Sequence, residues 1–341
     1  MPQTILVTGA SGYIAKYIVA GLLNAGHTVR GTLRRLDRGQ EVRDAVAPLL
    51  TDAGAQDRLS FAALDLGQDA GWAEAMAGVD ALMHTASPFP MAQPRDEAEV
   101  IRPAVDGALR ALRAAHAAGV RRVVMTSSSV AVTGQPLPPG KAAHDEDDWT
   151  DPTAASANPY ARSKTLAERA AWDFVRDTAP GMALTTINPV FVIGPPLDAH
   201  YGTSIAVVER LLRGRDPMLP NFGFPCVDVR DVAQAHVAAL DTPASAGQRI
   251  IAADRFLWFP EMAQILKEAF PGRKIVTRKA PDLVVRFLAL FDPAIRTVVP
   301  MLGQRDEVNA ARAKALLGLD FRDTRASLRE TAAWLIDNGR A

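Results

Sequence analysis

The segment Val7-Thr8-Gly9-Ala10-Ser11-Gly12-Tyr13-Ile14-Ala15 constrains this chain more than any other. It follows an apolar run, Thr4 to Thr8, and opens a helical pattern from Gly12 to Asn24, the context in which a glycine turn becomes a dinucleotide site. Glycine permits the tight turn and lets backbone N–H groups approach a pyrophosphate at the positive end of the helix. The spacing Gly9-x-x-Gly12-x-x-Ala15 holds one more residue between the first two glycines than the commoner fingerprint. Ala15 stands where a third glycine would, and is small enough for close helix–strand packing. Gly9, Ser11, Gly12, Tyr13 and Ile14 are the candidate cofactor contacts here. A glycine turn needs no ligand, but its place at the head of a βαβ series favours one.

The first half continues that series, alternating short β-branched runs with Ala/Leu-rich helical stretches. Strands are predicted at Thr28–Leu33, Leu59–Leu64, Ala81–His84, Arg122–Met125 and Ala183–Ile187, with helices over Glu97–Ala118 and from near Pro159. The second half is punctuated by Pro189, Pro195, Pro196, Pro217, Pro220 and Pro225, and its tail from Glu307 to Asn338 reads as mostly helical. The expectation is an α/β, Rossmann-type doubly wound parallel sheet with a smaller, mostly helical C-terminal substrate domain. Residues 1–188 plus 226–253 would form the NADP-binding part, and 189–225 plus 254–341 the substrate-binding part.

The end of the second strand selects the cofactor. NAD-binding sheets usually place an acid there for the ribose hydroxyls. This chain has His27-Thr28-Val29-Arg30-Gly31-Thr32-Leu33-Arg34-Arg35, with no acid before Asp37. Arg34, Arg35 and Arg38 could surround a 2′-phosphate, where guanidinium forks pair well; a solvated basic turn is the bland alternative. NADP(H) is therefore favoured, with Arg34 the best single candidate and Arg38 beside it. Asp65 and Leu66 end the third strand, where an aspartate can accept from an adenine amino group or merely cap a helix. Thr85, Ala86 and Ser87 end the fourth, small enough for the backbone to pass beside a dinucleotide. Thr126 ends the fifth and completes the cofactor candidates from the sheet. His84 is as much a candidate structural histidine as a functional one.

Tyr160-Ala161-Arg162-Ser163-Lys164 opens a predicted helix behind Asn158-Pro159, so Tyr160 and Lys164 share a face. A phenol with a pKa of about 10 is a poor base near neutrality. A nearby ammonium favours the ionised form, as would an oxidised nicotinamide. The spacing alone is common by chance, but it follows a strand ending in Thr126-Ser127-Ser128-Ser129. A serine hydroxyl there can orient a substrate oxygen against the tyrosine. Strand register favours Ser128, with Ser129 second.

With these segments together the chain resembles an extended short-chain dehydrogenase/reductase. It specifically resembles the group of dihydroflavonol 4-reductases, cinnamoyl-CoA reductases and yeast methylglyoxal reductases. The likeness rests on the glycine turn, His84-Thr85-Ala86-Ser87-Pro88-Phe89, Arg121 to Ser128, Tyr160 with Lys164, Asn188-Pro189 through Gly194-Pro195, and Val227-Asp228-Val229-Arg230-Asp231-Val232-Ala233. It spans about residues 4–240, with a weaker echo from Ser327-Leu328 to Trp334-Leu335. The resemblance implies a catalytic triad of Ser128, Tyr160 and Lys164. It also implies nicotinamide contacts from Pro189 to Ile193, Val192 included, and Ser204 near a phosphate. Many relatives in the wider superfamily carry a fourth catalytic residue, an asparagine, where this chain has Ala104; the reductase group is similar in lacking it.

Composition limits the alternatives. Lys+Arg and Asp+Glu both total 38, a net charge of zero, which argues against nucleic acid or an anionic membrane as main partner. The longest apolar stretch, Leu283–Leu302, is broken by Arg286, Asp292, Arg296 and two prolines, and no signal peptide is apparent, so a cytoplasmic protein, monomer or homodimer, is expected. Cys226 is the sole cysteine, read as a small core residue, and no cluster has metal-ligand spacing. The acidic run Asp145-Glu146-Asp147-Asp148 is expected to face solvent in a loop over the cleft. Phe89, Met91, Phe191, Tyr201, Phe222 and Phe224 are candidates to line a substrate pocket. The expected reaction is reversible reduction of a small-molecule aldehyde or ketone with NADPH. Its rivals are a nucleotide-sugar epimerase or dehydratase and a non-catalytic NADP(H)-sensing protein.

Overall fold

The computed structural model describes residues 1–87, 96–154 and 157–341. Seven strands form one parallel sheet: β1 (Thr4–Thr8), β2 (Thr28–Leu33), β3 (Leu59–Ala63), β4 (Ala81–His84), β5 (Arg122–Thr126), β6 (Ala183–Pro189) and β9 (Gln248–Ala252). Their spatial order is β3-β2-β1-β4-β5-β6-β9. The chain winds outward in one direction from β1 to β3, then crosses back to β4. This reversal places a crevice beyond the carboxyl ends of β1 and β4, where doubly wound sheets bind ligands. The Rossmann-type expectation is met.

Strand β1 shows why the sheet is covered on both faces. Ile5 and Val7 join one apolar cluster with Ile18 and Val232, while Leu6 joins another with Leu82, Leu112 and Leu184. Successive residues of a strand point to opposite sides, so a continuous apolar run needs helices on both faces. Helices α1 (Tyr13–Asn24) and α5 (Val229–Asp241) pack together on one side; α2 (Ala98–Ala117) and α3 (Pro159–Asp177) pack together on the other.

The chain leaves the sheet after β6 and builds a second, three-stranded sheet from β7 (Phe191–Ile193), β8 (Gly223–Asp228) and β10 (Arg255–Trp258), ordered β10-β8-β7. Helix α4 (Thr203–Arg213) lies between β7 and β8, and α6 (Thr324–Asp337) follows β10 near the end of the chain. The Pro-rich half is therefore not helical throughout. Its strands are short, and Pro225 sits inside one of them, which masks the alternation that betrays a strand.

One expectation is corrected. Only part of the acidic run faces solvent: Glu146 and Asp148 are buried, while Asp147 is exposed. Glu146 accepts from the backbone N–H of Ile251 at 3.0 Å, and Asp148 accepts from Lys141 at 2.8 Å. The run is a clasp against β9. His144 strengthens it by exchanging backbone hydrogen bonds with Glu307 and Asn309.

Candidate active site

The glycine turn lies at the switch point. Gly9 has φ +66°, and a Cβ there would stand 2.9 Å from the Cβ of Ala86, beyond β4. The two chain segments thus approach as closely as backbone allows. The turn is pinned from β2: Gly9 N–H donates to the Thr32 hydroxyl and Ala10 N–H to the Thr32 carbonyl, both at 3.0 Å. Gly9, Ser11, Gly12 and Ile14 keep accessible surface, and Gly12 precedes the first turn of α1 with no side chain capping it. Unclaimed N–H groups at a helix start and a cradle that a Cβ would fill fit a pyrophosphate.

Tyr13 is buried, and its hydroxyl donates to the carbonyl of Gly194 at 2.7 Å. One turn on, Tyr17 donates to Pro195 at 2.7 Å, and the buried Lys16 pairs with Asp198. One face of α1 therefore grips the segment after β7. Pro189 and Val192, at the end of β6 and within β7, are both buried just before this segment. Ser204 is half-buried in the first turn of α4.

At the end of β2 the arginines differ. Arg35 pairs with Asp37, and Arg38 donates to Glu41 at 3.0 Å. Arg34 is exposed and has no ion pair among the described residues. Asp65 is exposed and accepts from the N–H of Gly67 at 2.8 Å, closing a local turn; Leu66 is half-buried beside it.

Thr8 organises the β4 end. Its hydroxyl accepts from the N–H groups of Thr85 and Ala86, each at 3.1 Å, and lies 3.0 Å from Nδ1 of His84. With both lone pairs used, the hydroxyl must donate its proton to Nδ1, which leaves His84 with its proton on Nε2. Burial, and secondarily the charge of Lys164, push His84 down to about 4. It is a neutral structural histidine whose partner fixes the loop that carries Thr85, Ala86 and Ser87, all partly exposed. Thr126 is likewise committed, lying 2.7 Å from Nε2 of His236.

Helix α3 begins at Pro159 with the Asn158 side chain accepting from Ala161 N–H at 2.8 Å. An N-cap with proline behind it fixes the helix start, and so the direction of Tyr160 in the first turn. Ser128 is hydrogen-bonded to Tyr160. Burial raises the Tyr160 phenol above its usual value and that hydrogen bond pulls it back. A nearby ammonium is expected to favour the ionised phenol; burial of the ring works the other way and is the largest influence on it. Lys164, half-buried one turn on, is pushed down to about 8 by burial, with Glu168 working against that.

Sequence reasoning missed what lies beneath. Glu168 is fully buried and sits another turn along the face of Tyr160 and Lys164. Its carboxylate accepts from Ser127 at 2.6 Å, Asn188 at 2.8 Å, Thr186 at 2.8 Å and Arg249 at 2.8 Å. Arg249 reaches in from β9, donates to the carbonyls of Glu146 and Asp148 at 2.8 and 2.6 Å, and lies 3.6 Å over the Trp149 ring. The repeat of four from Lys164 was a signal for Glu168; nothing local pointed to Arg249.

Among the aromatic candidates, Phe191 and Phe224 are half-buried and stack at 4.6 Å, while Phe222 is buried against Phe259. Tyr201 donates to Glu209 at 2.9 Å. Phe89 and Met91 lie outside the described residues. Cys226 is fully buried, and burial pushes its thiol up. Among the described residues no three His, Cys, Asp or Glu side chains are grouped to hold a metal ion, and no helix is long and apolar enough to cross a membrane.

A glycine turn at the switch point of a parallel sheet, with a serine, a tyrosine and a lysine gathered at the ends of β5 and α3, defines the short-chain dehydrogenase/reductase class. The chain belongs to the NAD dependent epimerase/dehydratase family, matched over residues 5–253, the extended branch of that class. A cinnamoyl-CoA reductase of Medicago truncatula is 35% identical over 334 residues, covering 96% of this chain and 94% of that protein. A tetraketide alpha-pyrone reductase of Arabidopsis thaliana is 34% identical over 278 residues, 80% of this chain and 83% of that protein. The crystal structure of yeast methylglyoxal/isovaleraldehyde reductase complexed with NADPH superposes with a TM-score of 0.81 at 28% identity, covering 99% of this chain and all of that one.

Proposed function

We propose that this protein is an NADPH-dependent reductase that interconverts a small-molecule aldehyde or ketone and its alcohol, with Tyr160 as the proton donor. The observation that carries the reading is the hydrogen bond between Ser128 and Tyr160, with Lys164 one helical turn on. Reductases among the relatives, one of them complexed with NADPH, support the cofactor.

NADPH supplies the hydride when bound. The chain's own residues do the rest. Ser128 orients the carbonyl oxygen and Tyr160 gives its phenolic proton to that oxygen as hydride adds to carbon. Lys164, as an ammonium, stabilises the phenolate left behind. In the reverse direction the phenolate takes the alcohol proton.

For the cofactor, Gly9, Ser11, Gly12, Tyr13 and Ile14 would hold the pyrophosphate through the turn and the helix start. Arg34, with Arg38, would clamp the 2′-phosphate, and Asp65 and Leu66 would meet the adenine. Thr85, Ala86, Ser87 and Thr126 would flank the dinucleotide, Pro189 and Val192 the nicotinamide, and Ser204 a phosphate. Residues 1–188 with 226–253 would form the cofactor half, 189–225 with 254–341 the substrate half. We place the protein in the cytoplasm as a monomer or homodimer.

The test is NADPH absorbance against a panel of aldehydes and ketones. Consumption with at least one carbonyl is expected. Tight NADPH binding without turnover of any carbonyl would sink the reductase reading in favour of a sensor, and turnover of a nucleotide sugar alone would favour an epimerase.

A further inference from the structure

Glu168 is a buried carboxylate without a role in the chemistry proposed above. It is fully enclosed, and a charge in that position is costly unless it is paired and hydrogen-bonded. Four elements converge on it. Ser127 comes from the segment after β5, Thr186 and Asn188 from β6, Arg249 from β9, and Trp172 from its own helix at 3.3 Å. Burial alone would raise this carboxyl, but Arg249 and the bonds from Ser127 and Asn188 outweigh it and hold the group below the usual carboxylate range. It is an anion.

Its place relative to the proposed catalytic groups is specific. Ser127 is the neighbour of Ser128, and Asn188, which donates to Glu168, also donates to the backbone carbonyl of Ser128 at 3.1 Å. One carboxylate thus ties the serine segment to the helix that carries Tyr160 and Lys164. We propose that Glu168, held by Arg249, is a positioning residue: it fastens Ser128 against helix α3 and supplies the negative charge that keeps Lys164 an ammonium. The inference rests on the reductase reading only for the role of Lys164.

The other groups facing Lys164 do not supply that charge. His84, from β4, is held neutral by burial. Tyr160, on the same helix, has its phenol raised by burial. Thr126 at the end of β5, Ser127 to Ser129 beyond it, and Thr186 and Asn188 on β6 are uncharged. Arg249 lies beyond Glu168, with the opposite sign. Among the described residues Glu168 is the carboxylate that acts on Lys164.

The variant Glu168→Gln removes the anion and leaves Arg249 uncompensated, so both changes disfavour the Lys164 ammonium. The double variant Glu168→Gln/Arg249→Met removes the pair and should lie between Glu168→Gln and the parent. Competitive acetylation of the intact protein across pH, read by peptide mass spectrometry, gives the Lys164 titration without any turnover. The parent midpoint is expected near 8, that of Glu168→Gln lower by about one pH unit, and that of Glu168→Asp close to the parent. In carbonyl reduction, activity should fall with rising pH correspondingly earlier in Glu168→Gln. If Glu168→Gln does not fold, the double variant carries the test, again with a midpoint below the parent. An unchanged Lys164 midpoint in a folded variant overturns the proposal. Absence of carbonyl reduction by the parent defeats the reductase reading instead, and leaves the labelling result standing.

Discussion

The Tyr13 hydroxyl donates to the carbonyl oxygen of Gly194 at 2.7 Å, across 181 residues of sequence. The first turn of the helix that follows the glycine loop is thereby tied to the segment leaving β7. Tyr13→Phe removes the donor and leaves a buried carbonyl unmatched, at a cost of about 1–3 kcal/mol. Urea unfolding should show that loss. Equal stability of the variant would mean that this tie contributes nothing.

Tyr160→Phe keeps the ring and removes the proton. Turnover should fall roughly 10²–10⁴-fold, the usual contribution of a positioned acid–base group, while NADPH affinity stays near the parent value. Steady-state rates alongside fluorescence titration check both halves, and residual activity above about 10% would contradict the assigned role.

Arg34→Ala should separate the two dinucleotides. Arg35 and Arg38 already have carboxylate partners, so Arg34 is the guanidinium best placed for a 2′-phosphate. Losing a charge-assisted hydrogen bond costs about 1.5–3 kcal/mol, which is roughly 10- to 150-fold in the NADPH Kd. NADH should bind almost as before. Equal weakening of both would refute the phosphate clamp.

His84 and His236 are both pushed down to about 4, chiefly by burial. A histidine whose folded pKa lies below its unfolded value of about 6.5 contributes full stability above that value. The contribution is lost as pH falls, because the unfolded chain binds the extra proton. Each ring should cost about 1.4 kcal/mol per pH unit between about 6.5 and 4. Denaturation midpoints measured from pH 7 to pH 4.5 should therefore decline, and more gently in His236→Asn. Identical slopes would show that this ring does not govern acid sensitivity.

The sheet was legible where strands are uninterrupted apolar runs. β1 and β4 begin and end where those runs do, because strands buried on both faces seldom admit a polar break. β7, β8 and β10 were not, being three to six residues long with a proline in β8. At the candidate site, the Tyr160–Lys164 face followed from helical spacing, and the same spacing extended once more reaches Glu168. Composition misled at Glu146 and Asp148: an acidic run reads as solvated, yet Glu146 meets a backbone N–H of β9 and Asp148 meets Lys141. Arg249 could not be read at all, since a guanidinium is called into a core only by partners distant in sequence.

The bond between Glu168 and Arg249 also sets an order of events during synthesis. Arg249 follows Glu168 by 81 residues, about 4–16 s of elongation at typical rates of roughly 5–20 residues per second. Helix α3 can pack against α2 before then, but its carboxylate stays without a counter-ion until β9 leaves the ribosome. The nascent chain must therefore keep that end of the sheet open to water until a late strand closes it. Ribosome-bound chains stopped before residue 249 should present this edge to chaperones.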